Sequence, residues 1–210
     1  MKSEATINFD IFKPEPLLIV ISGLSGVGKD TVLRELKERQ LPFYFVVTAT
    51  SRPPREDERE GVDYFFVSRE AFESMIAGDE LIEHAIVYNQ YKGIPRRQID
   101  HALASGKDVV LRVDVQGAER IRDLYPSAVL IFLIPATREE WLNRLQSRQT
   151  ETLEDFQVRT DTARRELSKL NLFDYIVVNR DQKLQTTVHE IMCIIEAEHH
   201  RVRHKSIRDE

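Results

Sequence analysis

One cysteine, Cys193, stands in 210 residues. That scarcity excludes an intramolecular disulfide and a cysteine-rich metal centre, and it fits a reducing compartment. Positive charge is not in excess either. Thirty lysines and arginines against 35 acids leave a formal net charge of −5, which argues against general nucleic-acid binding, so any anion site must be assembled from local groups. Long apolar runs are missing. The longest, 17–21 and 128–135, are strand-sized and far short of the ~20 residues a membrane-spanning helix needs. Residues 1–15 are polar and carry Asp10 and Pro14, without the basic and apolar regions of a secretory signal. The expected location is therefore cytoplasmic, with an organelle lumen as the alternative for a mature form. No membrane and no nucleic-acid polymer is expected as a partner. With 41% hydrophobic and 31% charged residues, the chain has enough apolar material for one compact domain with a substantial core, and two independent domains are not expected.

What is present begins with Gly23-Leu24-Ser25-Gly26-Val27-Gly28-Lys29-Asp30-Thr31, directly after the apolar stretch Leu17 to Ile21. A glycine, four residues, then Gly-Lys is the spacing of a phosphate-binding loop. A strand delivers the chain into a turn whose backbone N–H groups, from Gly23 through Ser25, Gly26, Val27 and Gly28, converge on an anion. Lys29 would reach the β/γ-phosphates of a nucleotide, and the N-terminus of the following helix would add partial positive charge. Val32, Leu33 and Leu36, interleaved with Glu35, Lys37 and Glu38, supply the spacing of that helix. One position departs from the strict motif. Asp30 stands where a Ser or Thr hydroxyl normally meets Mg²⁺, and the hydroxyl comes one place later, at Thr31. Either the Asp30 carboxylate replaces the hydroxyl near the metal, or it points to solvent and Thr31 or water fills that role; the second reading is preferred, since a helix N-terminus accommodates an exposed carboxylate.

Residues 1–15 read as a flexible arm. A β-rich run, Phe43 to Thr50, leads into Ser51-Arg52-Pro53-Pro54-Arg55, a surface loop with arginines on a proline-stiffened backbone. From Val62 to Ile94, strand-like pieces at Tyr64 to Val67 and Leu81 to Tyr88 flank a helix-like piece near Arg69 to Ile76, which suggests a small inserted lobe. The chain then alternates again. Helices are expected near Arg96 to Ala104, from Gly117, and from Thr137 to about Ser147; strands at Val109 to Val113, Ala128 to Ile134 and Asp174 to Val178; and a closing helix at Lys183 to Arg201. Such alternation favours a parallel sheet with right-handed crossovers. Trp141 is read as a packing residue.

Beyond the loop, Thr48, Arg52, Arg55, Tyr64 and Glu83, in the contexts T-A-T-S-R-P-P-R, G-V-D-Y-F-F-V-S-R-E-A-F and L-I-E-H-A-I-V, closely resemble guanylate kinase over about Leu17 to Ile195. The resemblance implies a phosphate-loop nucleoside monophosphate kinase fold of the α/β class. It has a parallel sheet flanked by helices, a small inserted mixed α+β lobe that binds GMP, and a lid. The implied boundaries are 16–51 and 95–203 for the core, about 148–162 for the lid, 52–94 for the lobe and 204–210 for a charged tail. Arg52 and Arg55 would offer planar forks to the GMP phosphate and Tyr64 a hydroxyl. An ionised Glu83 would accept from the adjacent N1–H and N2 amino donors of guanine. Asp114, in Val113-Asp114-Val115-Gln116-Gly117, would hold Mg²⁺ through water or position GMP, with Thr31 the other metal-side residue. Arg144, Arg148 and Arg159 fall at the spacing of lid arginines that neutralise a transferring phosphoryl group, and Asn179 matches a position near adenine.

The chain also departs from that pattern. It has Tyr91-Lys92-Gly93-Ile94 where a second tyrosine and then a Thr or Ser are usual, so Lys92 is the candidate phosphate donor in place of the phenol, and Ile94 cannot hydrogen-bond guanine O6. Arg112 stands where an acid is usual, and Arg180 where Asp is preferred. The Tyr-Lys-Gly-Ile-Pro and Leu-Arg-Val-Asp stretches resemble an organellar and bacterial branch of the family. The activity implied is ATP- and Mg²⁺-dependent phosphorylation of GMP, and of dGMP, to the diphosphate by direct in-line transfer, in a monomer or homodimer. Two other readings use the same residues. A non-catalytic module of the same family would hold acidic or phosphorylated peptides, against which Lys29 and the three lid arginines count. A related kinase would act on another small phosphorylated substrate, which Ile94 and Arg112 leave open.

Overall fold

The computed structural model describes residues 14–87, 89–146 and 153–202. Most of the N-terminal arm, Arg148 and the charged tail therefore lie outside the described residues. Five strands, β1 (Leu18–Gly23), β2 (Phe43–Phe45), β7 (Asp108–Arg112), β8 (Val129–Ile134) and β9 (Tyr175–Val178), form one sheet in the order β2-β7-β1-β8-β9. Every pairing in it is parallel. The apolar run at β1 shows no polar alternation because it is covered on both faces. Leu17, Ile19 and Ile21 pack with Val32 and Leu36 of α1 (Lys29–Glu38) and with Val188, Ile191 and Ile195 of α7 (Leu184–His199). Leu18 and Val20 pack on the opposite side with Ile99 and Ala102 of α3 (Arg96–Ala104) and with Ala118 and Ile121 of α4 (Val115–Leu124). In such a sheet ligands gather outside the carboxyl ends of the strands, and the glycine-rich loop leaves the carboxyl end of the central strand.

A second, mixed sheet runs in the order β4-β3-β6-β5, from β3 (Thr48–Thr50), β4 (Tyr64–Phe66), β5 (Leu81–Val87) and β6 (Gln90–Pro95). β3 pairs parallel with β4 and antiparallel with β6, which pairs antiparallel with β5. Its small core is Ala49, Phe72 and Leu81. Phe72 comes from α2 (Arg69–Ala77), whose first turn is capped by the Ser68 hydroxyl accepting from the Ala71 N–H at 3.1 Å.

The structure departs from the sequence expectations in three places. The run Phe43 to Thr50 is two strands in two sheets, so the second sheet begins at Thr48, ahead of residue 52. β6 has no counterpart in the expected elements, which end the strand-like pieces of the lobe at Tyr88. Gly93 is there because the strand passes its neighbours closely: a Cβ would lie 2.9 Å from both the Glu83 carbonyl oxygen and the Phe72 ring. Finally, the polar stretch of the expected lid carries a helix, α6 (Leu153–Leu167), after α5 (Arg138–Gln146).

Candidate active site

The loop after β1 turns its carbonyls outward onto side chains. The Lys29 ammonium donates to the carbonyls of Gly23 (2.7 Å) and Leu24 (3.0 Å), the Trp141 indole to Ser25 (2.8 Å), and Arg144 and the Asn179 amide to Val27 (2.8 and 2.7 Å). Of the loop N–H groups, Leu24 donates to the Leu133 carbonyl (3.3 Å), Ser25 to the Glu166 carboxylate (3.2 Å) and Val27 to the Leu24 carbonyl (3.1 Å), so an anion nest here draws first on those of Gly26, Gly28 and Lys29. Gly28, the N-cap of α1, has φ 96° and offers no side-chain cap. The first-turn N–H groups of α1 are thus uncapped by it, and the left-handed backbone that exposes them suits glycine. Trp141 is accordingly more than packing.

The loop faces a cavity of about 440 Å³, whose lining includes Ser25, Gly26, Val27, Gly28, Lys29 and Asp30 from the loop and helix. Thr48, Arg52, Arg55, Tyr64, Glu83 and Lys92 come from the lobe side, with Asp114 and Arg159 completing the set. Most residues singled out in the sequence therefore converge on one space. Burial lowers the Lys29 ammonium to about 8, against the opposing pull of Glu166. Burial also lowers Lys92, which the Asp114 carboxylate partly offsets. Burial, reinforced by Asp114 and opposed by Arg120, raises the Glu83 carboxyl to about 8. Glu83 is thus largely protonated at neutral pH, not the ionised acceptor the sequence reading assumed. Asp114 caps α4 by accepting from the Gly117 N–H at 3.0 Å through Oδ1.

Three partners of these side chains were not foreseen. Glu58 takes both arms of the Arg52 fork (2.6 and 2.5 Å) and the Arg55 N–H (2.9 Å). Its place three residues after Arg55, in a loop of alternating charge, was the available signal. Glu166 of α6 accepts from the Ser25 N–H at 3.2 Å, while Arg159 on the same helix approaches the Ser25 hydroxyl at 3.5 Å. The third is Arg112, which pairs with Asp30. Asp30 consequently does not point to open solvent, as preferred from sequence. It lines the cavity beside Arg112, with Arg55 at 3.9 Å. Burial alone would raise its carboxyl, but Arg112 first, then Lys92 and Lys29, hold it at about 2.

Arg144 and Asn179 sit apart from this cavity. They line a second space of about 330 Å³ on the other side of Gly26 and Gly28, with Thr31, Arg180 and Asp181. Arg144 is fastened there to Asp181 and to the Asn179 carbonyl, both at 2.7 Å, so it braces the loop rather than standing with Arg159. Buried Asn179 also accepts from the Thr187 hydroxyl at 3.1 Å. Thr31 and Asp114, the expected metal-side pair, thus line different cavities. Among the described residues no three His, Cys, Asp or Glu side chains form a metal cage.

A phosphate loop at the carboxyl end of the central strand of a parallel sheet, faced across one cavity by an arginine-bearing lobe, defines the phosphate-loop nucleoside monophosphate kinase fold. The family model described as guanylate kinase matches residues 15–198. The chain is 47% identical over 195 residues to a protein named guanylate kinase 2, chloroplastic/mitochondrial, from Oryza sativa subsp. japonica, covering 92% of this chain and 68% of that one. It is 42% identical over 186 residues to the guanylate kinase of Clostridium tetani, covering 89% and 88%. The crystal structure of guanylate kinase from Anaplasma phagocytophilum superposes with a TM-score of 0.74 at 29% identity, over 90% of this chain and 89% of that one. This chain belongs to the guanylate kinase family and is an ATP-dependent kinase of GMP.

Proposed function

We propose that GMP occupies the lobe side of the larger cavity and ATP the loop, and that the γ-phosphoryl group passes between them in a single in-line step. The observation that carries this reading is the convergence of Lys29 and the loop with Arg52, Arg55, Tyr64 and Glu83 on one cavity. A GMP phosphate oxygen attacks the γ-phosphorus, forming the new P–O bond as the bond to the ADP oxygen breaks. That oxygen is already an anion, so no general base is needed, and positioning and charge neutralisation supply the rate. Lys29 and Arg159 neutralise the transferring group; Arg52, Arg55, Tyr64 and Lys92 anchor the acceptor phosphate; Glu83 takes the guanine edge; Thr48 lines the same side. Asn179, with Arg144 behind it, borders the adenine side.

Mg²⁺ belongs to this reading as an ion carried mainly by the ATP phosphates. The donor set fits that role: the described residues form no protein cage, but the Asp114 carboxylate keeps an oxygen free of the Gly117 cap and can meet the ion through water. Such an ion neutralises charge developing on the phosphates. dGMP carries the same guanine edge and phosphate that Glu83, Arg52 and Arg55 address, so it is an acceptor too. The chain acts as a monomer or homodimer in the cytoplasm or, as the name of the rice relative suggests, in an organelle.

A coupled assay of ADP formation from ATP and Mg²⁺ with GMP, dGMP, AMP, UMP and ribose 5-phosphate tests the reading. Turnover with GMP and dGMP and not with the others is expected. A folded sample without GMP turnover, or equal turnover with AMP, contradicts it.

A further inference from the structure

We propose that Arg112 is a positioning residue for phosphoryl transfer, which ties the helix after the phosphate loop to the acceptor lobe and neutralises Asp30 between the two phosphate sites. The proposal rests on the placement of GMP in the lobe. Arg112 ends β7, in the large sheet beside the central strand, and its side chain is only 7% exposed. A buried guanidinium is costly unless its donors are engaged. Here they are engaged on both sides of the cavity. One arm pairs with Asp30 of α1, and the other donates to the Asp63 carbonyl of the lobe at 3.1 Å. The guanidinium carbon lies 4.2 Å from the centroid of the Tyr64 ring, which also receives Arg52 at 5.0 Å. One cation thus spans donor helix, central sheet and acceptor lobe, and it bears on the ring whose hydroxyl is assigned to the GMP phosphate.

The pair also explains how an acid can follow the loop lysine. Asp30 faces the space into which two anionic nucleotides must fit. Without Arg112 its carboxylate would draw on Arg55, 3.9 Å away, and on Lys92, both assigned to the acceptor phosphate. Asp30 and Arg112 are therefore interdependent: loss of either changes the charge that the other presents to the phosphate sites.

Steady-state kinetics on the full chain test this with Arg112→Gln, Arg112→Lys, Asp30→Ser and the double variant Asp30→Ser/Arg112→Gln, below each variant's unfolding midpoint. Arg112→Gln is expected to raise the KM for GMP by about tenfold or more and that for ATP by less than about threefold. Adding Asp30→Ser removes the unpaired carboxylate, so the double variant recovers at least about fivefold of the lost GMP affinity. Arg112→Lys keeps the charge without the fork and falls between parent and Arg112→Gln, which keeps the comparison readable if the glutamine variant does not fold. Equal shifts for both nucleotides, or a double variant carrying the product of the single effects, overturn the proposal. A parent that turns over GMP alongside such additive variants overturns it alone, whereas a parent without GMP turnover overturns the acceptor assignment and the proposal with it.

Discussion

Glu83 is where single-residue chemistry bears most directly on substrate choice. Its carboxyl is raised to about 8 by burial and by Asp114, whereas the guanine edge offers two donors and needs an ionised acceptor. GMP binding therefore has to expel the proton, and at pH values below 8 that proton opposes binding. At saturating ATP, whose phosphates keep Lys29 charged, the KM for GMP is expected to fall by about tenfold from pH 7 to pH 8.5. Glu83→Gln should raise that KM and flatten the dependence. A pH-independent KM in the parent, or an unchanged slope in the variant, contradicts the assignment. The identity of Glu83 was legible from its sequence context, but its protonation was not, because burial and a carboxylate from a distant helix create it. The same holds for Asp30. The sequence places an acid after the lysine, and only the fold brings a residue 82 positions away to pair with it.

At the scale of elements, the loop and α1 were plain in the sequence because their glycine spacing and apolar period are local signals. The braces that orient the loop were not. Trp141, Arg144 and Asn179 reach it from α5 and from the end of β9, across separations of more than 100 residues. Strand β6 was hidden by Gly93, whose reason is a tertiary close approach. Helix α6 was hidden among charges, and Ala163 is its buried residue among those described. Gly28 joins local and tertiary demands: its φ is 96°, and an added Cβ would stand 2.8 Å from the Asn179 amide nitrogen. Gly28→Ala is expected to cost about 1–3 kcal/mol in equilibrium denaturation, from the left-handed backbone and the displaced amide, and to weaken ATP binding in titration. An unchanged unfolding midpoint with unchanged ATP affinity contradicts that account of the loop.

In the molecule as a whole, the larger cavity joins two sheets that the sequence announced as a core and an inserted lobe. Carboxylates engage the groups assigned to phosphates: Glu58 holds the Arg52 fork and Glu166 reaches the Ser25 N–H. Two nucleotides bound there are expected to compete for those donors and to draw the lobe and α6 together. Small-angle scattering is expected to show a smaller radius of gyration with GMP and a non-hydrolysable ATP analogue together than with either alone. An unchanged radius contradicts closure.

The central claim, that one cavity holds acceptor and donor phosphates between the loop and the arginine lobe, is tested most directly by a crystal structure with adenosine and guanosine joined through a polyphosphate chain. The account predicts guanine against Glu83, phosphates between Lys29 and the Arg52–Arg55 pair, and adenine beside Asn179. Guanine in the smaller cavity, or a phosphate chain that bypasses Lys29, would contradict it.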